Sequence, residues 1–177
     1  MKILIFLLLT VQLAEARSKM KQFQLFSKCK GVHLSVEMLP ERAERIKLTW
    51  EQLNEIAMKR LKKARLYVPR KFAVGAGEDF HPVLYISVNV SKTAFSLAVE
   101  FRKVVRDKFT GQEEYAVTWR IGVLGVHGFR NQFILRMVDK YVGIFIEEWS
   151  KVNKSYCDEE KTVDPTQGPI KPPVLVR

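Results

Sequence analysis

The chemistry available to this chain rests on a cluster of cations, two cysteines and three histidines. Lys59, Arg60, Lys62 and Lys63 crowd little more than one helical turn, and Arg70 and Lys71 extend the run. Such a cluster suits an anionic ligand, an acidic lipid or glycan, while a solvated helix face is the plainer alternative. His33, His81 and His127 are scattered, and a catalytic pair would have to converge in space. His81 and His127 could meet at one end of a sheet; surface or packing roles are the ordinary fate of isolated histidines. Glu100 beside Arg102 and Arg120 reads as a cross-strand charge pair, and Asp139, near Arg136 and Lys140, as an exposed ion-pair partner. The chain has no Gly-x-Ser-x-Gly elbow, His-Glu-x-x-His helix, phosphate-binding glycine loop or Cys-x-x-Cys pair. No catalytic residue, metal site or cofactor is therefore assigned. Asn89-Val90-Ser91 and Asn153-Lys154-Ser155 match the glycan-acceptor pattern, with Asn89, at a strand end, the poorer acceptor.

The compartment follows from the other end of the chain. Lys2 precedes an apolar run from Ile3 to Leu13, and Ala14-Glu15-Ala16 sets small residues at the minus three and minus one positions of a cleavage site. This is the pattern of a secretory signal peptide, residues 1–16, too short to be read as a membrane span. The expected mature chain begins at Arg17; the residue after the cut is not cysteine, so no lipid-anchored start is expected. No later segment is apolar enough to cross a membrane as a helix. Signal Lys2 and Glu15 cancel, so the mature chain keeps the formal charge of +11. That balance favours anionic partners, and an extracytoplasmic location argues against nucleic acid. Cys29 and Cys157 flank the expected domain, and in an oxidising compartment one disulfide between them is the expectation; free or intermolecular thiols are the alternative.

The elements that must position these residues can be read from periodicity. After a loose, basic lead-in over 17–30, Val32, Leu34, Val36 and Met38 alternate with His33, Ser35 and Glu37 as a half-buried strand. A charged, exposed linker spans 40–47. A helix begins at Thr49, which forms a capping box with Gln52, while Leu48 and Leu53 take the positions of a hydrophobic staple. Alternating strands follow over 83–90, 94–105 and 115–126, joined by short turns at 91–93 and near Thr110-Gly111. A long amphipathic helix spans about 129–151, its broad apolar stripe combining Phe133, Met137, Tyr141 and Ile144 with Ile134, Val138, Phe145 and Trp149. The predicted order β-α-β-β-β-α gives an α+β two-layer sandwich, a four-stranded mainly antiparallel sheet with two helices on one face. The domain is expected over 31–157, with a disordered Pro-rich tail at 158–177.

The chain resembles a group of uncharacterised secreted proteins of bacteria. The resemblance lies in Leu48-Thr49 at the helix start, the Pro82-Val83-Leu84-Tyr85-Ile86-Ser87-Val88 strand, and Ala116-Val117-Thr118-Trp119 followed by Gly122 and Gly125. The helix running from Met137-Val138-Asp139 through Phe145 to Val152-Asn153 completes it. These are packing and turn features, and that family carries no established activity to transfer. The order of elements is also similar to the periplasmic lipoprotein that helps build the lipopolysaccharide translocon, from which this chain departs in lacking the acylated cysteine; that likeness is one of fold.

The leading expectation is a non-enzymatic, secreted or periplasmic binding or envelope-assembly accessory. Its partner would be an envelope protein, or an anionic lipid or glycan held by Lys59, Arg60, Lys62, Lys63, Arg70 and Lys71. A hydrolase of unrecognised type is the third reading. The polar sheet face, with His33, Ser35, Glu37, Ser87, Asn89, Ser96, Glu100, Thr118 and Arg120, is the better candidate surface, for a partner or for self-association through an edge strand, with plain solvent exposure the alternative. It lacks the stacking aromatics of an RNA platform apart from Tyr85.

Overall fold

The Thr49 capping box fixes the start of the central helix: the Gln52 N–H donates to Thr49 Oγ1 at 3.3 Å, and the Thr49 N–H donates to Gln52 Oε1 at 3.1 Å. In the computed structural model, which describes residues 19–69 and 81–162, the chain runs through a short helix α1 (19–25) and strand β1 (His33–Val36). A 3-10 helix (Glu41–Ile46) and helix α2 (Trp50–Lys63) follow. Strands β2 (Val83–Val90), β3 (Ala94–Arg106) and β4 (Glu113–Val126) lead into helix α3 (Gln132–Thr162). The expected signal segment and the Pro-rich stretch 165–173 lie outside the described residues, as do Arg70 and Lys71.

The architecture is α+β, with a single sheet in the order β1-β2-β3-β4. The sheet is mixed. β2, β3 and β4 are antiparallel neighbours, whereas β1 runs parallel to β2, in the register His33 with Val83 to Val36 with Ile86. Connectivity explains this: α2 lies between the two strands in sequence and carries the chain back to start β2 in the same direction. The alternation sorts the sheet faces as the pattern requires. Leu84, Ile86, Val88, Phe95, Leu97, Val99, Phe101 and Trp119 are buried in one core with Leu53, Ala57 and Leu61 of α2 and Ile134, Val138, Val142, Phe145 and Trp149 of α3.

Four boundaries differ from the sequence expectation. β1 stops at Val36, and Met38, expected on its apolar face, is exposed. The 40–47 linker forms the 3-10 helix and buries Ala43 and Ile46. α3 continues past 157 to Thr162, which moves the end of ordered secondary structure into the expected tail. The lead-in expected to be loose is helical over 19–25 and buries Leu25 completely.

Tertiary bonds hold that lead-in. Buried Asn153 on α3 accepts from the Ser27 N–H at 2.9 Å and donates to the Leu25 and Trp149 carbonyls, each at 3.0 Å. Trp149 Nε1 donates to Ser27 Oγ at 3.0 Å. A disulfide joins Cys29 to Cys157 one helical turn further along α3. Asn153 is therefore spent inside the structure and is no glycan acceptor once the chain has folded, which corrects the sequence reading of that site; Asn89 is exposed. Asn153→Ala should lower the unfolding free energy by about 1–3 kcal/mol in denaturant titration, because it strands the part-buried Ser27 N–H and the buried Leu25 carbonyl. An unchanged midpoint would show that water satisfies both.

Candidate functional site

The basic helix is partly neutralised by its neighbours. Arg60 Nε donates to Asp139 Oδ1 of α3 at 2.6 Å, and Nη2 pairs with Oδ2 in a bidentate bridge. Hydrogen bonding to Asp139 raises the Arg60 guanidinium, and the same bond holds the Asp139 carboxyl below the ordinary carboxylate range. The expectation that Asp139 forms an exposed ion pair is met through a partner on another helix. The ammonium of Lys62 lies 5.3 Å from the centre of the Tyr67 ring. Lys59 and Lys63 face solvent.

The histidines do not assemble as the sequence suggested. His81 lies against His33, with ring centroids 5.0 Å apart, and the Nδ1 of His33 is 2.9 Å from the Val68 carbonyl. His127 is buried at the other end of the sheet. Its Nδ1 accepts from the Phe129 N–H at 3.1 Å, which leaves Nε2 to donate to the Ser91 carbonyl at 3.3 Å. That arrangement fixes the turn into α3 and does not place His127 beside His81.

On the polar face of the sheet, Glu100 is buried between two guanidiniums. Arg102 Nη2 lies at 2.6 Å, and Arg120 Nε, from the residue directly opposite on β4, at 3.5 Å. Arg102 stacks 3.7 Å from the centre of the Tyr85 ring. Burial, followed by the Glu37 carboxylate, pushes the Tyr85 hydroxyl up. Beside this network, Ser87, Asn89, Ser96, Ala98, Gly122 and Leu124 line a shallow groove of about 340 Å³. Gly122 allows the close approach of β4 to β3 along it, since a Cβ there would lie 2.7 Å from the Leu97 carbonyl oxygen. The groove is paved with small polar groups around an internally satisfied charge triad, an arrangement suited to contact rather than proton transfer.

Two features of the sheet were missed from the sequence. The first is an arm. β2 ends its pairing where Val83 meets Arg102, so from Lys103–Ala116 to Arg106–Glu113 the β3–β4 hairpin has no third strand beside it among the described residues. The strand lengths alone, eight residues for β2 against thirteen and fourteen for its successors, carry that signal. A register irregularity at Phe101/Arg102 marks the base of the arm and leaves Thr118 outside the ladder, where its hydroxyl donates to the Gln24 carbonyl at 2.6 Å. Lys103 secures the arm by donating to the carbonyls of Phe23 and, at 3.0 Å, Phe26; burial pushes its ammonium below the ordinary lysine value. Between α1 and the arm lies an open groove of about 1060 Å³.

The second is an unequal pair of sheet edges. Segment 66–68 covers the start of β1: Val32 donates its N–H to the Leu66 carbonyl at 2.7 Å and accepts from the Val68 N–H at 2.9 Å. Among the described residues β4 is bonded to β3 alone. Near its end, Leu124, Val126 and Phe129 are 78%, 72% and 69% exposed.

No family model matches this chain, and no curated protein matches it. Among solved structures it is similar to rare lipoprotein B from Shewanella oneidensis, at 12% identity and a TM-score of 0.23, over 74% of this chain and 98% of that one. It is also similar to an uncharacterized protein, at 12% identity and a TM-score of 0.28, over 71% of this chain and 92% of that one. Likeness at these scores carries no weight for function. Among the described residues, no helix is long and apolar enough to cross a membrane.

Proposed function

We propose that the chain is a non-enzymatic binding protein of the assembly-accessory kind, acting outside the cytoplasm, with the free edge of β4 as its docking strand. One observation carries the reading: among the described residues a fourteen-residue strand is paired on one side only and ends in exposed Leu124 and Val126. An open edge offers a ladder of unpaired backbone donors and acceptors, and it invites strand addition unless proline, charge or a covering segment blunts it. β4 contains no proline, and its outer half from Ile121 to Val126 contains no charge. The apolar segment 3–13 with its Ala14-Glu15-Ala16 end supports export, and the Cys29–Cys157 bridge supports an oxidising compartment.

The test is native mass spectrometry of the protein isolated gently from its producing cell. Leu124→Lys combined with Val126→Lys should remove a protein companion carried by the parent chain and leave the thermal midpoint unchanged, since both positions are exposed. A companion retained by the double variant would refute docking through β4. A second reading places an anionic lipid or glycan on α2. It is supported by the outward-facing Lys59 and Lys63, and weakened because Asp139 already neutralises Arg60.

A further inference from the structure

The groove between α1 and the arm combines apolar and cationic side chains in a way the β4 edge does not. Phe109, at the turn of the hairpin, is 96% exposed, and Met20 and Phe23 on α1 are 61% and 63% exposed. Lys28, Lys30, Lys103, Arg106 and Lys108 line the same groove, against two carboxylates, Asp107 and Glu114. Asp107 is taken by the turn itself, accepting from the Phe109 N–H at 2.8 Å, the Thr110 N–H at 2.6 Å and the Thr110 hydroxyl at 3.0 Å. Lys103 spends its donors on two backbone carbonyls and meets no carboxylate among the described residues. The lining is thus cationic on balance, with exposed aromatic and thioether side chains along it.

We propose that this end of the molecule docks on an anionic lipid surface, with Phe109 entering the interface and the exposed Lys28, Arg106 and Lys108 facing the head groups. Phe109 lines the groove and is almost wholly exposed at the turn, so a small ligand seated there would cover only part of the ring. A surface buries it together with Met20 and Phe23, while lysine stems lie along the apolar region and their ammoniums reach the phosphates. The site shares the first residues of β4 but not its far end: Tyr115, which lines the groove, and Leu124 are nine residues apart along the strand, or roughly 30 Å.

The experiment is co-sedimentation of the whole disulfide-bonded chain with vesicles of phosphatidylcholine, alone or mixed with phosphatidylglycerol. Comparing variants within one preparation cancels any contribution from the N-terminal apolar segment. Lys108→Glu should weaken binding to the anionic vesicles roughly thirty-fold. Phe109→Ser should weaken it on the order of ten-fold or more. Phe109→Trp should shift its fluorescence to shorter wavelength with anionic vesicles and not with phosphatidylcholine alone. Leu124→Lys should bind as the parent does, which separates failure here from failure of the β4 reading. The proposal is overturned if the parent binds neither vesicle, binds both equally, or binds unchanged after Phe109→Ser. It is also overturned if binding is lost through Lys59→Glu with Lys63→Glu and not through the arm, or if the arm variants lose a protein companion while the parent ignores lipid.

Discussion

Replacing Cys29 and Cys157 together by serine is expected to cost about 4–5 kcal/mol of unfolding free energy, the largest single loss the structure offers short of breaking the core. The bridge closes a sequence separation of 128 residues, nearly the whole domain, so its removal frees almost the entire unfolded chain from one long loop constraint. The denaturant slope should rise at the same time, because the unlinked unfolded state exposes more surface. Parallel titrations of parent and variant measure both quantities. A loss below about 1 kcal/mol would mean that the bonds of Asn153 and Ser27 already restrain the same two segments, and that the bridge contributes little beyond them.

The second large effect lies in the core. Phe145 on α3 is fully buried, with ring centroids 5.5 Å from both Phe101 on β3 and Trp119 on β4. It is therefore the point at which the helix layer meets the two strands that continue into the arm. Phe145→Ala should cost about 3–5 kcal/mol, and Phe145→Leu, which keeps most of the volume, under about 1.5 kcal/mol. Trp119 Nε1 donates to Glu148 at 2.9 Å, so the near-ultraviolet signal of that indole should weaken in the alanine variant before secondary structure is lost. Equal losses for the two substitutions would show that the shape of the aromatic ring, and not its volume, holds the layers together.

Much of this fold was legible where local chemistry decides it. The Thr49 and Gln52 pair starts α2, the period of two sorts the sheet faces, and the stripe from Ile134 to Trp149 picks out the buried side of α3. The helix over 19–25 was not legible, since its apolar content is modest and its order comes from Asn153, Trp149 and Cys157 far along the chain. For the same reason a three-residue glycan pattern could not disclose that Asn153 is buried. The basic run looked like one patch because its main neutralising carboxylate, Asp139, lies 79 positions away from Arg60. The arm was readable as a difference in strand lengths, but only once β2 was known to lie beside β3.

The meeting of Leu25 and Ser27 with Asn153 also sets an order in time. In a chain delivered N-terminus first, whether from a ribosome or through a translocation pore, α1 emerges at the start and its seat on α3 arrives almost last. The central hairpins can form early from local contacts, yet the layer over Leu25 cannot close until the residues near Cys157 have appeared. In such a chain the N-terminal layer locks only at the end, over hairpins already formed.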